Sequence, residues 1–342
     1  MNEFGLPGLD VLRARGDAQM GLHEQGKQAA RARFGSQVFV RAVVEISNYC
    51  RQNCAYCGMR RGNRGLARFR AHHEQLAQLL LEHRPASVTD VNIQAGEDPV
   101  AVRDVVLPLI RTLRRETDLG ISVCLGTLTP ALYAELREAG ASFYILKFEM
   151  AGAARYAELQ SPGTLAKRLH NIRHLAAQGW SVSSGFIAGL PGQTNAELID
   201  NFKLAAALPL TGCSVSPFVP GEETPLAGAP AGDIELTLNC MAGLRLMRPD
   251  WVIPAVSALN IAEPGSGYRR GLRAGANLVT INLTPREIRR DYILYKRERF
   301  IMNEERILTA LAAEGLTPSA QSLMDFCRSR DAQGRNAQMV QA

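Results

Sequence analysis

A chain of 342 residues, 46% of them hydrophobic and 21% charged, is long enough to bury one large core, and α/β barrels of about 250 residues fold as single domains. Its net charge of +6 comes without basic runs or interleaved aromatics, which argues against nucleic acid as a partner and suits at most a small acidic molecule. The chain opens with no basic segment leading into an apolar run, and no stretch of about 18 apolar residues occurs, so no membrane span is expected and a cytoplasmic location is.

In chain order, β-branched or apolar runs at 38–47, 88–96, 121–126, 142–149, 181–189, 213–219, 251–258 and 277–283 predict strands. Between them, apolar residues at helical spacing predict helices over 73–84, 102–116, 130–140, 165–179, 195–208 and 236–247. Gly140, Gly179 and Gly275 each stand where a helix gives way to a strand and suit a left-handed cap. Regular alternation without internal repeat or linker predicts an α/β fold, a (β/α)8 TIM-type barrel over 37–285. Residues 1–36 are expected as a helical extension over the barrel bottom or side, and 286–342 as a helical cap ending in a loose tail.

The stretch EISNYCRQNCAYCGMRRGN, from Glu45 to Asn63, carries Cys50, Cys54 and Cys57 just after the first predicted strand, where a barrel keeps its chemistry. A structural zinc site asks for a fourth ligand, which would fall to His72 or His73 with no matching second half-motif. Inert buried thiols sit poorly beside Arg51, Gln52 and Asn53. Three thiolates suit a [4Fe–4S] cluster with one iron left open to bind a further molecule. The other cysteines, Cys124, Cys213, Cys240 and Cys327, are scattered and expected as buried apolar residues rather than a disulfide framework.

The C-x3-C-x2-C pattern with Tyr56 just before its last Cys resembles the cluster loop of the radical S-adenosylmethionine (SAM) enzymes. That resemblance implies two cofactors, one [4Fe–4S] cluster per chain on Cys50, Cys54 and Cys57, and SAM on the open iron, cleaved by one electron to a 5′-deoxyadenosyl radical. The electron is expected from a flavodoxin or ferredoxin-type donor, and a maturation partner protein fits the same picture. The run QAGEDP resembles the family's turn after strand two, which implies that Gly96, Glu97 and Asp98 bind the SAM amino group. GFIAGLPGQT matches a G-x-I-x-G motif through Gly185, Ile187 and Gly189, where missing side chains would let adenine approach the backbone. Glu149 and Arg168 align with family residues for the ribose and amino acid parts of SAM, and an Arg can grip a carboxylate by paired hydrogen bonds.

Further segments, among them SPFVPGEETPLA and AGANLVTINLTP, resemble the subgroup that holds the [FeFe]-hydrogenase maturase HydE, methylornithine synthase and biotin synthase. DYILY resembles a Tyr-x-x-Tyr of the maturase, so that Tyr292 and Tyr295 either reach the barrel mouth as catalytic residues or pack the cap. Departures narrow the reaction. Ser214 and Ala258 stand where methylornithine synthase grips its amino acid, and Ser122 and Ser183 where biotin synthase holds a sacrificial cluster. The expected function is radical chemistry on a small molecule in cofactor, metallocofactor or amino-acid biosynthesis. The alternatives are sulfur insertion into a C–H bond and a non-enzymatic cluster carrier.

Overall fold

Seven of the predicted runs become parallel strands in the computed structural model of the chain, which describes residues 5–330. They are β1 (Gln37–Ser47), β2 (Asp90–Ala95), β3 (Gly120–Cys124), β4 (Phe143–Ile145), β5 (Ser181–Ala188), β6 (Gly212–Pro217) and β7 (Leu278–Asn282), paired in the order β6-β5-β4-β3-β2-β1-β7. Their side chains are buried on both faces, as parallel strands covered by helices must be. The helices expected between them form at His73–Glu82, Pro130–Ala139, Leu165–Ala177, Asn195–Ala207 and Ile234–Met247, and as one continuous run over 99–116.

The closed (β/α)8 barrel expected from the sequence does not form. The sheet is open and runs about 249° round, with helices on its outside and β6 and β7 as its two edges. The run at 251–258, expected as the eighth strand, makes only isolated bridges, Val252 to Gly212 and Pro254 to Leu278. Two local facts stop a ladder there. Pro254 has no N–H to donate, and Ser257 already has helical backbone angles (φ −60°, ψ −26°) as it enters the Ala258–Ala262 helix.

Arg245 holds this seam together. It is fully buried, without an ion pair among the described residues, and its guanidinium donates to the carbonyls of Gly275, Pro249 and Trp251 at 2.8 Å and to Asn277 Oδ1 at 2.9 Å. Asn277 Oδ1 also accepts from the Ile253 amide at 2.7 Å, so one side chain ties the bridging segment to the start of β7. Arg245→Met should therefore destabilise the protein by about 2–4 kcal/mol, because it strands several buried acceptors while relieving one desolvated charge. Urea denaturation followed by circular dichroism would measure this, and an unchanged midpoint would show that the seam does not depend on Arg245.

The strand expected at 142–149 is interrupted. After β4 the pairing with β5 bulges, and the buried Ser184 hydroxyl fills the gap by accepting from the Phe148 amide at 3.1 Å and donating to the Leu146 carbonyl at 2.8 Å. Pairing resumes as one bridge, Glu149 to Phe186. This bulge sets the direction of Lys147 and Glu149, both of which face the interior of the sheet's curve.

The ends of the chain divide the remaining surfaces. The Gly16–Phe34 helix lies along the side, against the Ile234–Met247 helix, where Gln19 donates to Asn239 at 2.8 Å and His23 is 3.0 Å from the same oxygen. The bottom is closed instead by the C-terminal region: a short strand β8 (Thr317–Pro318) pairs with β1, and Leu323, Met324 and Cys327 pack on Phe39, Phe143, Val252 and Leu278. The expected loose tail, 329–342, lies mostly outside the described residues. No described helix is long and apolar enough to cross a membrane.

Candidate active site

The curve of the sheet encloses a cavity of about 350 Å³ whose mouth lies at the C-terminal ends of the strands. Cys50, Cys54 and Cys57 line it from the loop after β1. That loop has almost no regular structure of its own, so side chains shape it. Asn48 staples its two ends, donating to the Ala67 carbonyl at 2.7 Å and accepting from the Phe69 amide at 2.8 Å. Arg68 sits inside the turn and donates to four carbonyls, those of Asn48 (2.5 Å), Met59 (2.9 Å), Arg60 (2.8 Å) and Asn63 (3.1 Å). Neither residue stood out in the sequence, because an Asn and an Arg in a polar loop read as solvated.

The turn after β2 presses on this loop. A side chain at Gly96 would begin 2.2 Å from the Tyr49 carbonyl oxygen and 2.9 Å from Cys50 Cβ, so only glycine fits. The Glu97 amide donates to Cys50 Sγ at 3.4 Å. The Glu97 carboxylate, almost fully buried, accepts from Gln52 (2.5 Å), Arg51 (3.2 Å), the Thr127 amide (2.9 Å) and Arg168 (3.3 Å). Two of these partners belong to the cysteine loop. Gly126, at φ +71°, leaves the space that Glu97 fills, since a Cβ there would stand 1.9 Å from Glu97 Cγ. Asp98 faces elsewhere: it takes a bidentate pair from Arg70 (2.7 and 3.1 Å) and a hydrogen bond from Ser47 (2.7 Å), and it does not line the cavity.

Arg168, brought in by the Leu165–Ala177 helix, is as buried as Glu97 and also donates toward the Tyr156 hydroxyl at 3.4 Å. Glu149 ends the β4 bulge at φ +64°, a left-handed conformation that few side chains other than glycine tolerate. Its Oε2 is buried 3.2 Å from Lys147 Nζ and accepts no hydrogen bond. Lys147 in turn donates to Ser216 at 3.4 Å. Lys147 escaped the sequence reading, where it looked like one charge in an apolar strand.

Tyr56 lines the cavity and its hydroxyl lies 3.1 Å from Ser161 Oγ. Of the G-x-I-x-G residues, Ile187 lines the cavity and the two glycines do not. Their missing side chains serve the chain's own packing: a Cβ at Gly185 would meet Ser214 Oγ at 2.2 Å, and one at Gly189 would meet Gly232 Cα at 2.6 Å. His72 and His73, the candidate zinc ligands, also lie off the cavity. Ser183 and Ser214 line it, whereas Ser122 is turned into the sheet against the Val91 carbonyl at 3.2 Å. Cys213, Cys240 and Cys327 are buried as expected, but Cys124 is not fully buried and lines the cavity.

Tyr292 and Tyr295 both line the cavity, from a strap of chain that crosses its mouth. The strap is pinned to the cysteine loop by the Gly58 amide donating to the Leu294 carbonyl at 3.2 Å and by Asn48 donating to the Asp291 carbonyl at 2.7 Å. Farther along it, Arg299 forms a bidentate pair with the buried Glu45 at the end of β1, at 2.7 and 2.9 Å. Tyr292 is buried, and Tyr295 lines the same cavity as Ser216 and Lys147.

The donor set fits an iron–sulfur cluster. Burial pushes all three thiols up, Cys57 to about 12, and each of Cys54 and Cys57 is raised further by neighbouring cysteine. Three mutually repelling thiols need a strong local positive charge to ionise together, which bound iron supplies. Among the described residues no three His, Cys, Asp or Glu side chains converge on a single ion; a cluster asks for something different, one iron per thiolate. The buried Glu97–Arg168 pair likewise fits the zwitterionic end of an amino acid, ammonium to carboxylate and carboxylate to guanidinium.

Comparison with known proteins agrees with this geometry. The family model described as the radical SAM superfamily matches residues 44–205. The chain is 33% identical over 274 residues to the [FeFe] hydrogenase maturase subunit HydE of Thermotoga maritima, covering 80% of this chain and 78% of that protein. It is 27% identical to the 3-methylornithine synthase of Methanosarcina barkeri, over 84% of this chain and 82% of that one. The crystal structure of methylornithine synthase (PylB) matches with a TM-score of 0.81 at 25% identity, covering 90% of this chain and 92% of that chain. The chain belongs to the radical SAM superfamily and is an enzyme of radical SAM chemistry.

Proposed function

We propose that Cys50, Cys54 and Cys57 hold one [4Fe–4S] cluster, that SAM binds beside it between Glu97, Arg168 and Glu149, and that the enzyme acts on a small molecule held deeper in the cavity. The observation that carries this reading is the meeting of three thiols, the Glu97–Arg168 pair and the Glu149–Lys147 pair in one cavity. Bound there, the cluster would supply the electron that turns SAM into a source of the 5′-deoxyadenosyl radical.

The chain's own residues hold and shield this chemistry. Glu97 and Arg168 orient the amino acid end of SAM by charge-assisted hydrogen bonds. Glu149, ion-paired with Lys147, accepts from a hydroxyl or ammonium group of SAM, and Tyr56 and Ile187 give its apolar parts a wall. The strap with Tyr292 and Tyr295 keeps water from the cavity, which protects a radical from side reactions. Lys147, Ser216 and Tyr295 offer polar contacts to the substrate from the cavity lining. The relatives named above act in hydrogenase maturation and in methylornithine synthesis, both small-molecule biosynthesis. Beyond the three loop cysteines, only Cys124 brings a thiol to the cavity wall among the described residues, which supports hydrogen abstraction or radical addition over insertion of cluster sulfur. Arg51, Arg61 and Arg64 are exposed on the cysteine loop and suit an acidic flavodoxin or ferredoxin-type electron donor.

The test is anaerobic reconstitution with iron and sulfide, followed by SAM and dithionite. About four irons per chain and formation of 5′-deoxyadenosine are expected. A protein that takes up its cluster and leaves SAM intact would overturn the reading.

A further inference from the structure

Among the described residues, seven charged side chains line the cavity, and six of them pair: Glu97 with Arg168 at 3.3 Å, Glu149 with Lys147 at 3.2 Å and Glu45 with Arg299 at 2.7 Å. The seventh is Arg41, in the middle of β1, whose hydrogen bond runs from Nε to Thr280 Oγ1 at 3.1 Å. Among the described residues no carboxylate forms an ion pair with it. Its terminal nitrogens are not among the buried polar atoms left without a partner, so they open into the cavity. Burial works against the Arg41 charge, and Tyr268, Cys124 and Asp90 relieve it only from a distance. Asp90, across the β1–β2 pair from Arg41, accepts from the Leu323 amide at 2.8 Å and from Thr89 at 2.9 Å, both at Oδ2, and its charge favours that of Arg41 without an ion pair.

A guanidinium without an ion pair in an enclosed chamber is a place for an anion, because the chamber offers little water to screen it. Thr280, which accepts from it, and Asn92 and Asn282, level with Val43 on the same wall of the cavity, are neutral. One planar fork with neutral polar neighbours matches a single carboxylate better than a phosphate, which gathers more positive charge and more donors. Arg41 also lies four residues before Glu45 on β1, roughly 13 Å down the strand from the mouth where the cysteines sit. A molecule gripped at Arg41 therefore needs a chain of several atoms to present a carbon near the mouth.

We propose that Arg41 is the anchor for the substrate's carboxylate, and that the substrate is an elongated organic monocarboxylate bound acid end down. This rests on the reading of the cavity as the substrate chamber of a radical SAM enzyme. Fixing the acid end at the bottom selects which carbon meets the radical, so Arg41 would set regiospecificity as well as affinity.

Hexanoate and its uncharged analogue hexanamide serve as probes, titrated calorimetrically into the reconstituted holoenzyme under anaerobic conditions. The wild type should bind hexanoate at least about tenfold more tightly than hexanamide, the usual weight of a charge-assisted hydrogen-bonded contact. R41Q should lose that preference, and R41K, which keeps the charge without the fork, should retain part of it. Circular dichroism spectra and iron content of both variants, matched to the wild type, separate lost binding from lost folding. Equal binding of the two probes by the wild type, no binding of hexanoate, tighter binding of hexyl phosphate, or a well-folded R41Q that keeps the preference would each overturn the proposal. Iron content and 5′-deoxyadenosine formation measured on the same wild-type preparation tell a failure of this inference from a failure of the underlying reading.

Discussion

Alanine at any one of Cys50, Cys54 or Cys57 is expected to abolish cluster uptake, and with it all cleavage of SAM. A cubane cluster on three thiolates would have no spare protein ligand, and its fourth iron would be the one left open for SAM. Losing one sulfur leaves a second iron exposed and the remaining thiols still buried and repelling one another, a state that favours protonation over metal binding. The control is Cys240→Ala. Cys240 is fully buried in the core and away from the cavity, so this change should lower stability by about 1 kcal/mol while iron and activity persist. Iron and sulfide assays with chromatography of 5′-deoxyadenosine read both results. Full iron content in the triple alanine variant would remove these residues from the cluster site.

Glu97→Ala is the second large effect, and it should appear before any cofactor is added. Glu97 and Arg168 are each only 4% exposed at the side chain, 3.3 Å apart. Removing the carboxylate leaves a buried guanidinium without its counter-charge, which costs about 3–5 kcal/mol when one partner of a buried pair is deleted. The same carboxylate holds Arg51 and Gln52, so the cysteine loop loses two anchors at once. Thermal unfolding of the apo protein should shift down by several degrees, on the order of 2–4 °C per kcal/mol for a chain of this size. Glu97→Gln keeps the shape without the charge and should fall between. An apo protein that unfolds at the wild-type temperature after Glu97→Ala would mean that the pair is neutral to folding, and that Glu97 acts only toward SAM.

Both predictions depend on information of different kinds. The cysteine spacing is local, eight residues whose side-chain types state their chemistry directly. The partnership of Glu97 and Arg168 spans 71 positions and is seen only once the helix after β4 has been packed onto the sheet. Resemblance to a family brought both residues into view, but as two contacts to SAM; the structure adds that they bind each other, and that Gly126 exists in its glycine form to let Glu97 in.

The sequence by itself determined the alternation of strands and helices, the glycines that end helices at Gly140, Gly179 and Gly275, and the place of the cysteine loop after the first strand. These are short-range matters: periodicity, backbone freedom and spacing act within about ten residues. Tertiary structure alone decided whether the sheet closed. An apolar run such as 251–258 looks alike whether it joins a ladder or merely crosses a seam, and the outcome turned on Pro254, on Ser257 entering a helix and on Arg245 gripping the segment from another element. It also decided which charges were spent. Lys147, Glu45, Arg299 and Arg41 are single letters until the fold pairs six of the seven cavity charges and leaves Arg41 over, because electrostatic pairing depends on neighbours that may be 254 positions apart in the chain.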